Sequence, residues 1–177
     1  INMYKEVYNI YDGDAAAFAF GSVSQARQIL TDNLAPMSQR TMLLNTTHAT
    51  KYLTDTKGLF HSAEEISEQY REGQIGRASG FNFYENTLLL PHTTGTAAKT
   101  TGYLVNGGSQ TGSTLTVDTG TTTFLVGDVI TIAGVFRVHP ETKVSTGALQ
   151  QFVVTANSGT SATSLSISPA ITTGTGR

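Results

Sequence analysis

Residues 1–92 mix the hydrophobic spacings of helices and strands. A helix is predicted where apolar side chains recur three and four residues apart, at Ala26, Ile29, Leu30 and Leu34. Ser22 or Ser24 can cap this helix, and Pro36 ends it because proline cannot donate the backbone hydrogen bond that a helix needs. The apolar run at residues 41–44 predicts a short buried strand.

Two more helices and a strand are predicted before residue 92. Asn45 or Thr46 can open a short helix that runs through residues 52–53. Ser62 and Glu65 have the spacing of a capping box, which predicts a helix that turns Ile66 and Tyr70 inward and ends near Gly73. Phe81 and Phe83 alternate with polar residues and predict a strand, to which a residue of the apolar run 88–90 contributes.

Residues 93–177 show mainly the two-residue alternation of strands. Tyr103-Leu104-Val105 leads into Asn106-Gly107-Gly108, which is a hairpin signal. Further alternating or apolar segments at 114–118, 129–138, 152–154 and 165–167 bring the total to five or six short strands, a pattern typical of a small barrel or sandwich. The predicted inward residues are Leu115, Val117, Ile130, Ile132, Phe136, Phe152, Val154, Leu165 and Ile167.

The density of charged residues changes at the same position, near residue 92, as the hydrophobic pattern does. Residues 1–92 hold 17 of the 24 Asp, Glu, Lys and Arg residues, and residues 93–177 hold the other 7. The turn-rich stretch 91–96 lies at this change, which predicts a domain boundary there. Charged residues make up only 14% of the chain, so Thr, Ser, Gly and Asn supply most of its polarity. Such a surface suits a β-rich domain or one that contacts neighbouring molecules.

Composition excludes several classes of function. The chain has no cysteine, which excludes disulfides, zinc–thiolate sites and cysteine catalysis. Its net charge is −2 and it contains no run of Lys and Arg, so the electrostatic signature of a nucleic-acid-binding protein is missing. No apolar run approaches the ~20 residues of a membrane span. The chain starts at Ile1 and stops after Arg177, which favours a piece of a longer protein.

The sequence contains no strong motif for catalysis, phosphate binding or metal binding. Residues 107–114 have the glycine spacing of a phosphate-binding loop, but Ser113 replaces the essential lysine and a strand follows, so a hairpin tip is favoured. His48, His61, His92 and His139 stand beside turn or cap residues and are expected in surface or capping roles. We predict no catalytic residue, no cofactor and no metal site, and therefore a protein that is not an enzyme.

Two groups of residues are candidates for contact between subunits. The first is an acidic helix face made by Glu64, Glu65, Glu68 and Glu72. It is interpreted as a solvated face or one that pairs with a neighbouring subunit, because no calcium-type loop surrounds these carboxylates. The second is the predicted hairpin tip at Asn106, Gly107, Gly108 and Gln110.

Two segments carry a resemblance to a known family. The first runs from Gly58-Leu59-Phe60 through Glu64-Glu65 and Tyr70-Arg71-Glu72-Gly73-Gln74-Ile75-Gly76-Arg77 to Gly80-Phe81. The second comprises residues 127–135, then Phe152-Val153-Val154 and residues 164–169. In this order the chain resembles the coat proteins of short-tailed Salmonella phages over most of residues 22–171. The resemblance implies an α+β fold: part of an HK97-like capsid shell domain followed by a small all-β barrel inserted into it.

The resemblance also implies an organisation and a role. Residues 1–98 would belong to the shell domain, 99–171 to the inserted barrel, and 172–177 to a link back toward the shell. The function implied is a major capsid protein that self-assembles into an icosahedral head enclosing DNA. Its partners would be other copies of the full-length coat protein, with scaffolding and portal proteins, but no specific nucleic-acid site and no membrane. Its location would be the virion, after synthesis in the cytoplasm of the bacterial host.

Two departures and one rival interpretation accompany the resemblance. Asn45-Thr46-Thr47 stands where relatives often have Asn-Pro, and the loop 106–113 is short and uncharged where relatives can carry charges. The family's arm, spine helix and outer shell strands have no counterpart, so this piece alone is expected to be a monomer or at most a weak oligomer. The alternative function is a β-rich adhesion or carbohydrate-binding module, although the chain has no tryptophan on which a sugar ring could stack.

Overall fold

The structure is a computed structural model that describes residues 3–11, 18–57, 75–89, 91–97, 102–118 and 120–172. The chain forms two compact units. The sheet unit comprises Ile1–Ile10, Pro91–Val138 and Lys143–Arg177, and the mixed unit comprises Tyr11–Leu90 and His139–Thr142. Helices and strands are both present, so the fold is α+β, as predicted.

Among the residues that the structure describes, the mixed unit has two helices and a three-stranded sheet. The helices are α1 (Phe20–Asp32) and α2 (Thr46–Thr56), and the strands are β1 (Arg40–Leu44), β2 (Arg77–Ala78) and β3 (Phe81–Glu85). The sheet order is β1-β3-β2, with β1 parallel to β3 and β2 antiparallel to it. The buried residues Val23, Tyr52 and Phe81 form its core, and the Tyr52 ring stacks on Phe83 at a centroid distance of 5.0 Å.

Local signals explain where these elements begin and end. The Asn45 side chain accepts a hydrogen bond from the His48 backbone N–H at 2.8 Å, so Asn45 caps α2 as predicted. The buried Arg40 side chain donates to the backbone oxygens of Pro36 and Ala35, at 2.7 and 2.8 Å. Arg40 thereby holds the turn between α1 and β1, which the sequence pattern did not indicate.

Three predictions for the mixed unit are wrong. α1 begins at Phe20, so Ser22 lies inside its first turn and accepts from the Ala19 N–H at 3.4 Å rather than serving as the cap residue. Leu34 lies beyond the helix in the left-handed region, at φ +59°, and is exposed. Leu88 and Leu89 lie beyond the end of β3, are exposed and do not extend the strand. The helix predicted from Ser62 to Gly73 lies outside the described residues, as do His61 and Leu90.

The described part of the sheet unit has a short 3-10 helix and four antiparallel strands. The helix is Met3–Glu6, and the strands are β4 (Gly112–Thr116), β5 (Val129–Val138), β6 (Ser145–Val154) and β7 (Ser164–Ile171). Their order in the sheet is β4-β7-β6-β5. Isolated antiparallel bridges join Val105 to Val117 and Phe124 to Ser158, so the predicted hairpin around residue 106 is present.

Eight of the nine side chains predicted to point inward lie in the core of the sheet unit or pack against it, and the core also contains Phe124, which was not predicted. Its buried side chains are Leu115, Val117, Phe124, Phe152, Val154, Leu165 and Ile167, and Ile130 and Ile132 pack against them. Phe136 was predicted to point inward, but it is 49% exposed, and Val135 packs on the core instead. Val135 therefore lies on the core-facing side of β5, and Phe136 lies on the solvent-facing side.

An irregularity in β5 causes this reversal of the predicted sides. Between the pairs Thr131–Gln151 and Phe136–Leu149, β5 advances five residues while β6 advances two. The excess of three is odd, and an odd shift moves every later side chain to the opposite face of the sheet. Gly134 lies inside this irregularity at φ +80°, a conformation that glycine adopts without steric cost.

The Tyr52 hydroxyl leads to a prediction about alkaline stability. Burial raises the pKa of this hydroxyl above 10.0, and the Asp55 carboxylate raises it further. The Ser79 side chain acts in the opposite direction, but no hydrogen bond of good geometry to the hydroxyl is found among the described residues. Because the folded chain disfavours ionisation of this hydroxyl, the neutral tyrosine contributes its full stabilisation below the pKa that it has in the unfolded chain. That stabilisation is lost as the pH rises from the unfolded-state pKa to the higher folded-state pKa.

The Tyr52→Phe variant cannot lose this contribution. Its stability relative to the original chain is therefore expected to increase as pH rises from about 9 to about 11, around the ordinary tyrosine pKa. Urea titrations followed by circular dichroism at several pH values measure the difference. Tyr84→Phe is the matched control, because Tyr84 lies on β3 of the same unit and is 58% exposed. A stability difference for Tyr52→Phe that stays constant over this pH range would contradict the prediction.

No helix among the described residues has both the length and the apolar character needed to cross a membrane.

Candidate functional site

Asp128 is a buried charged residue of the sheet unit. It is 6% exposed and stands immediately before β5. One carboxylate oxygen, Oδ2, accepts hydrogen bonds from the backbone N–H groups of Gly95 at 3.0 Å and Leu125 at 2.8 Å. Two separate stretches of chain are thus held by a single oxygen atom, and hydrogen bonds to a charged acceptor are stronger than neutral ones.

The other carboxylate oxygen of Asp128 binds His92. The Oδ1 and the His92 Nε2 atoms are 2.8 Å apart, and the His92 side chain is 23% exposed. The Tyr4 ring meets the His92 ring edge-on, with a centroid distance of 5.6 Å. We call Asp128, His92, Gly95 and Leu125 the Asp128 anchor; it fastens residues 91–97 to the turn that precedes β5.

Glycine is required where the backbone segments of the anchor approach each other. A Cβ atom on Gly95 would collide with the backbone carbonyl of Thr123. The Thr96 hydroxyl accepts from the Thr123 N–H at 2.9 Å, which extends the contact along the same two segments. The anchor is therefore a close packing of two backbone segments around one buried carboxylate. The role of this carboxylate is to hold the two segments in position.

Glutamine side chains fix two other parts of the sheet unit. Gln151, on β6, accepts from the Ile10 N–H at 3.0 Å and donates to the Ile10 carbonyl at 2.9 Å, so it pairs with the backbone as a neighbouring strand would. Gln110 does the same inside the hairpin loop. Its Oε1 accepts from the Thr116 N–H at 2.6 Å, and its Nε2 donates to the carbonyls of Thr116, Asn106 and Gly107 at 2.9, 2.8 and 3.2 Å.

The predicted subunit-contact residues are placed as follows. Asn106, Gly107 and Gly108 are exposed in the hairpin loop, and Gln110 is half-buried and directed into the loop. Gln110 is thus engaged within its own chain, whereas the other three residues are open to solvent. The acidic face of Glu64, Glu65, Glu68 and Glu72 lies outside the described residues.

Two of the histidines, His139 and His48, have the capping or surface role that was predicted, and the pairing of a third, His92, was not predicted. The His139 Nδ1 accepts from the N–H groups of Glu141 and Thr142, both at 3.3 Å, which is the turn-capping role predicted for it. His48 lies exposed in the first turn of α2, with its ring 5.1 Å from that of Phe18. The pairing of His92 with Asp128 gives no sequence signal, because 36 residues separate them. The described part of the chain holds no group of three or more potential metal ligands.

Comparison with known families identifies the class of protein. One family model matches residues 8–174 of the 177-residue chain, which covers both compact units. The match makes this chain a bacteriophage capsid protein, a structural component that associates with copies of itself in the virion. The chain belongs to the P22 coat protein family, described as gene protein 5. A search of curated proteins gave no significant match.

Proposed function

We propose that this chain contributes to a subunit of an icosahedral head that encloses the phage DNA. The observation that carries the proposal is the family match along residues 8–174. The combination of a mixed helix–sheet unit with a separate antiparallel unit is compatible with an HK97-like shell domain followed by an inserted barrel. The role is structural, and no catalysis is proposed.

The proposed barrel is residues 99–171, with residues 1–98 in the shell domain and 172–177 leading back to it. Support comes from the four antiparallel strands and from the bridges that join residues 105 and 124 to other parts of the same unit. The compact sheet unit also takes in Ile1–Ile10 and residues 91–98. The Asp128 anchor and the Gln151–Ile10 pair show how these flanking residues are attached to it.

A positional function fits the buried polar groups of the sheet unit. Both Asp128 oxygens already accept hydrogen bonds from the chain itself, which favours a carboxylate that holds segments in place over one that attacks or protonates a substrate. Scaffolding and portal proteins are the proposed partners in addition to further coat subunits. The proposed site of synthesis is the cytoplasm of the bacterial host, before assembly into the virion.

Two measurements, of particle assembly and of glycan binding, distinguish the proposed capsid function from the alternative adhesion function. The complete coat protein that contains this sequence is produced with the scaffolding protein of its phage and sedimented through a sucrose gradient. We expect closed particles that sediment far ahead of free subunits. The same protein applied to a glycan array is expected to bind nothing above background. Soluble subunits that never form particles and that bind a defined glycan would replace this proposal with the adhesion function.

A further inference from the structure

The hairpin loop contains the one Asn-Gly sequence of the chain, Asn106-Gly107. Asparagine followed by glycine is prone to a spontaneous reaction between the side chain and the next peptide group, because glycine has no Cβ to hinder the approach. The other seven asparagines are followed by larger residues, at positions 2, 9, 33, 45, 82, 86 and 157. The sequence alone therefore singles out Asn106, and the structure decides whether the reacting atoms are free.

Both reacting groups at Asn106-Gly107 are free of hydrogen bonds within the described part of the chain. Asn106 and Gly107 are exposed, and no partner is found there for the Asn106 side-chain amide or for the Gly107 backbone nitrogen. Gly107 has φ +95°, a conformation in which a side chain would be strained. Among the described residues, neither the nucleophile nor the carbonyl group that it would attack is therefore held by a hydrogen bond, and both residues are exposed to water.

Asn157-Ser158 provides an internal contrast, because Asn157 is exposed but hydrogen bonds restrain both residues. The Asn157 Oδ1 atom accepts from the Val126 N–H at 2.9 Å. The Ser158 backbone nitrogen, which would be the nucleophile there, donates to the Phe124 carbonyl at 2.9 Å. Ser158 also carries a Cβ atom and accepts from the Phe124 N–H through its hydroxyl at 3.2 Å. The same reaction at this site would break several hydrogen bonds.

Gln110 restrains the Asn106-Gly107 segment from the other side of the loop. Its Nε2 donates to the carbonyl oxygens of Asn106 at 2.8 Å and Gly107 at 3.2 Å. The Asn106 N–H also donates to the Thr116 carbonyl at 3.0 Å. These bonds fix the main chain on both sides of the reacting peptide group while leaving the reacting atoms themselves uncovered. Ring closure requires rotation about this main chain, so the Gln110 bonds oppose it.

We propose that Asn106 is a site of spontaneous deamidation in the folded protein, and that Gln110 restrains its rate. The Gly107 nitrogen attacks the Asn106 side-chain carbonyl carbon and loses its proton, and the bond from that carbon to the side-chain nitrogen breaks, releasing ammonia. Water then adds to either carbonyl of the resulting succinimide and opens it to aspartate or isoaspartate. The balance is one water consumed and one ammonia released, with no oxidant or reductant.

The product changes the hairpin tip in two ways. Each event adds one negative charge to a chain whose formal net charge is −2 and to a loop, residues 106–111, that carries no charged residue. The isoaspartate product also inserts a methylene into the main chain, which lengthens the segment whose carbonyl oxygens Gln110 contacts at Asn106 and Gly107. Deamidation thus marks the age of a subunit at a surface that is open to solvent.

Peptide mapping by mass spectrometry tests the site. The purified chain is incubated in warm, mildly alkaline buffer, and the conversion of each asparagine is followed with time. We expect Asn106 to be converted first, with isoaspartate detected at that position by an isoaspartate-specific methyltransferase, while Asn157 remains largely intact. The Asn106→Gln variant, whose longer side chain closes a ring much more slowly, is expected to lose the signal. Conversion of Asn106 no faster than that of Asn157 in the folded chain would overturn the proposal.

Two further measurements test the restraint by Gln110. The conversion rate of Asn106 is expected to rise in the Gln110→Ala variant while that of Asn157 stays unchanged. The second measurement compares the original chain in buffer with the same chain unfolded in urea, and needs no variant to fold. Unfolding is expected to accelerate conversion at Asn106. An equal rate at Asn106 in folded and unfolded chains would show that Gln110 imposes no restraint.

Discussion

Replacing Asp128 with alanine is expected to lower the stability of the sheet unit by about 2–4 kcal/mol, because a buried hydrogen-bonding group left without its partner costs roughly 1–3 kcal/mol. The change removes the acceptor for the backbone N–H groups of Gly95 and Leu125 and for the His92 ring. These three donors are only half-buried, so water can replace part of the lost hydrogen bonding. The expected loss of stability is therefore smaller than the sum of the penalties for three fully buried, unpaired donors.

Two substitutions give this prediction its controls. Asp128→Asn keeps one oxygen that can accept from Gly95 and Leu125 and is expected to cost about half as much, since it preserves the backbone contacts. Asp118→Ala removes an exposed carboxylate from the same unit and is expected to change stability by no more than about 0.5 kcal/mol. Hydrogen exchange measured by mass spectrometry on residues 91–97 and 123–128 reports the loss locally. Unchanged protection of both segments in Asp128→Ala would contradict the anchor.

Replacing Phe152 with alanine is expected to cost about 3–5 kcal/mol, the usual range for truncating a fully buried phenylalanine. Phe152 is 2% exposed and lies in the core between Val154, Leu165 and other apolar side chains. Because domains of this size are stable by only about 5–15 kcal/mol, the variant approaches the limit of folding.

Phe136→Ala is the matched control for this experiment. It removes the same side chain from the neighbouring strand, but Phe136 is 49% exposed, so the expected cost is below about 1 kcal/mol. The chain has no tryptophan, so urea unfolding is followed by circular dichroism and by hydrogen exchange at β6 and β7. Equal losses for Phe136→Ala and Phe152→Ala would show that β5 keeps a regular alternation and that the shift near Gly134 is absent.

The alternation along the strands was enough to predict most of the sheet core. Leu115, Val117, Phe152, Leu165 and Ile167 follow the two-residue rule, and each is buried as predicted. The rule failed at Phe136 because an odd register shift depends on how β5 pairs with β6, and pairing is not recorded in the spacing of one strand. Gly134 was the available signal, since an isolated glycine inside a strand pattern often marks a bulge.

The anchor was beyond sequence reasoning for a different reason. His92 and Asp128 stand in separate turn regions, and their pairing arises only when residues 91–97 pack against the turn before β5. Gln110 was predicted as a surface contact, but its amide groups reproduce the hydrogen bonding of a backbone segment inside its own loop. An amide side chain gives no local pattern that separates these two roles.

The central claim, that this chain is capsid material, is tested most directly by electron microscopy of particles made from the complete coat protein that contains it. We expect closed icosahedral shells whose repeating density accommodates the mixed unit and the β4-β7-β6-β5 sheet in every subunit. Preparations that contain only unassembled subunits under all assembly conditions, or shells whose density has no place for these two units, would contradict the claim.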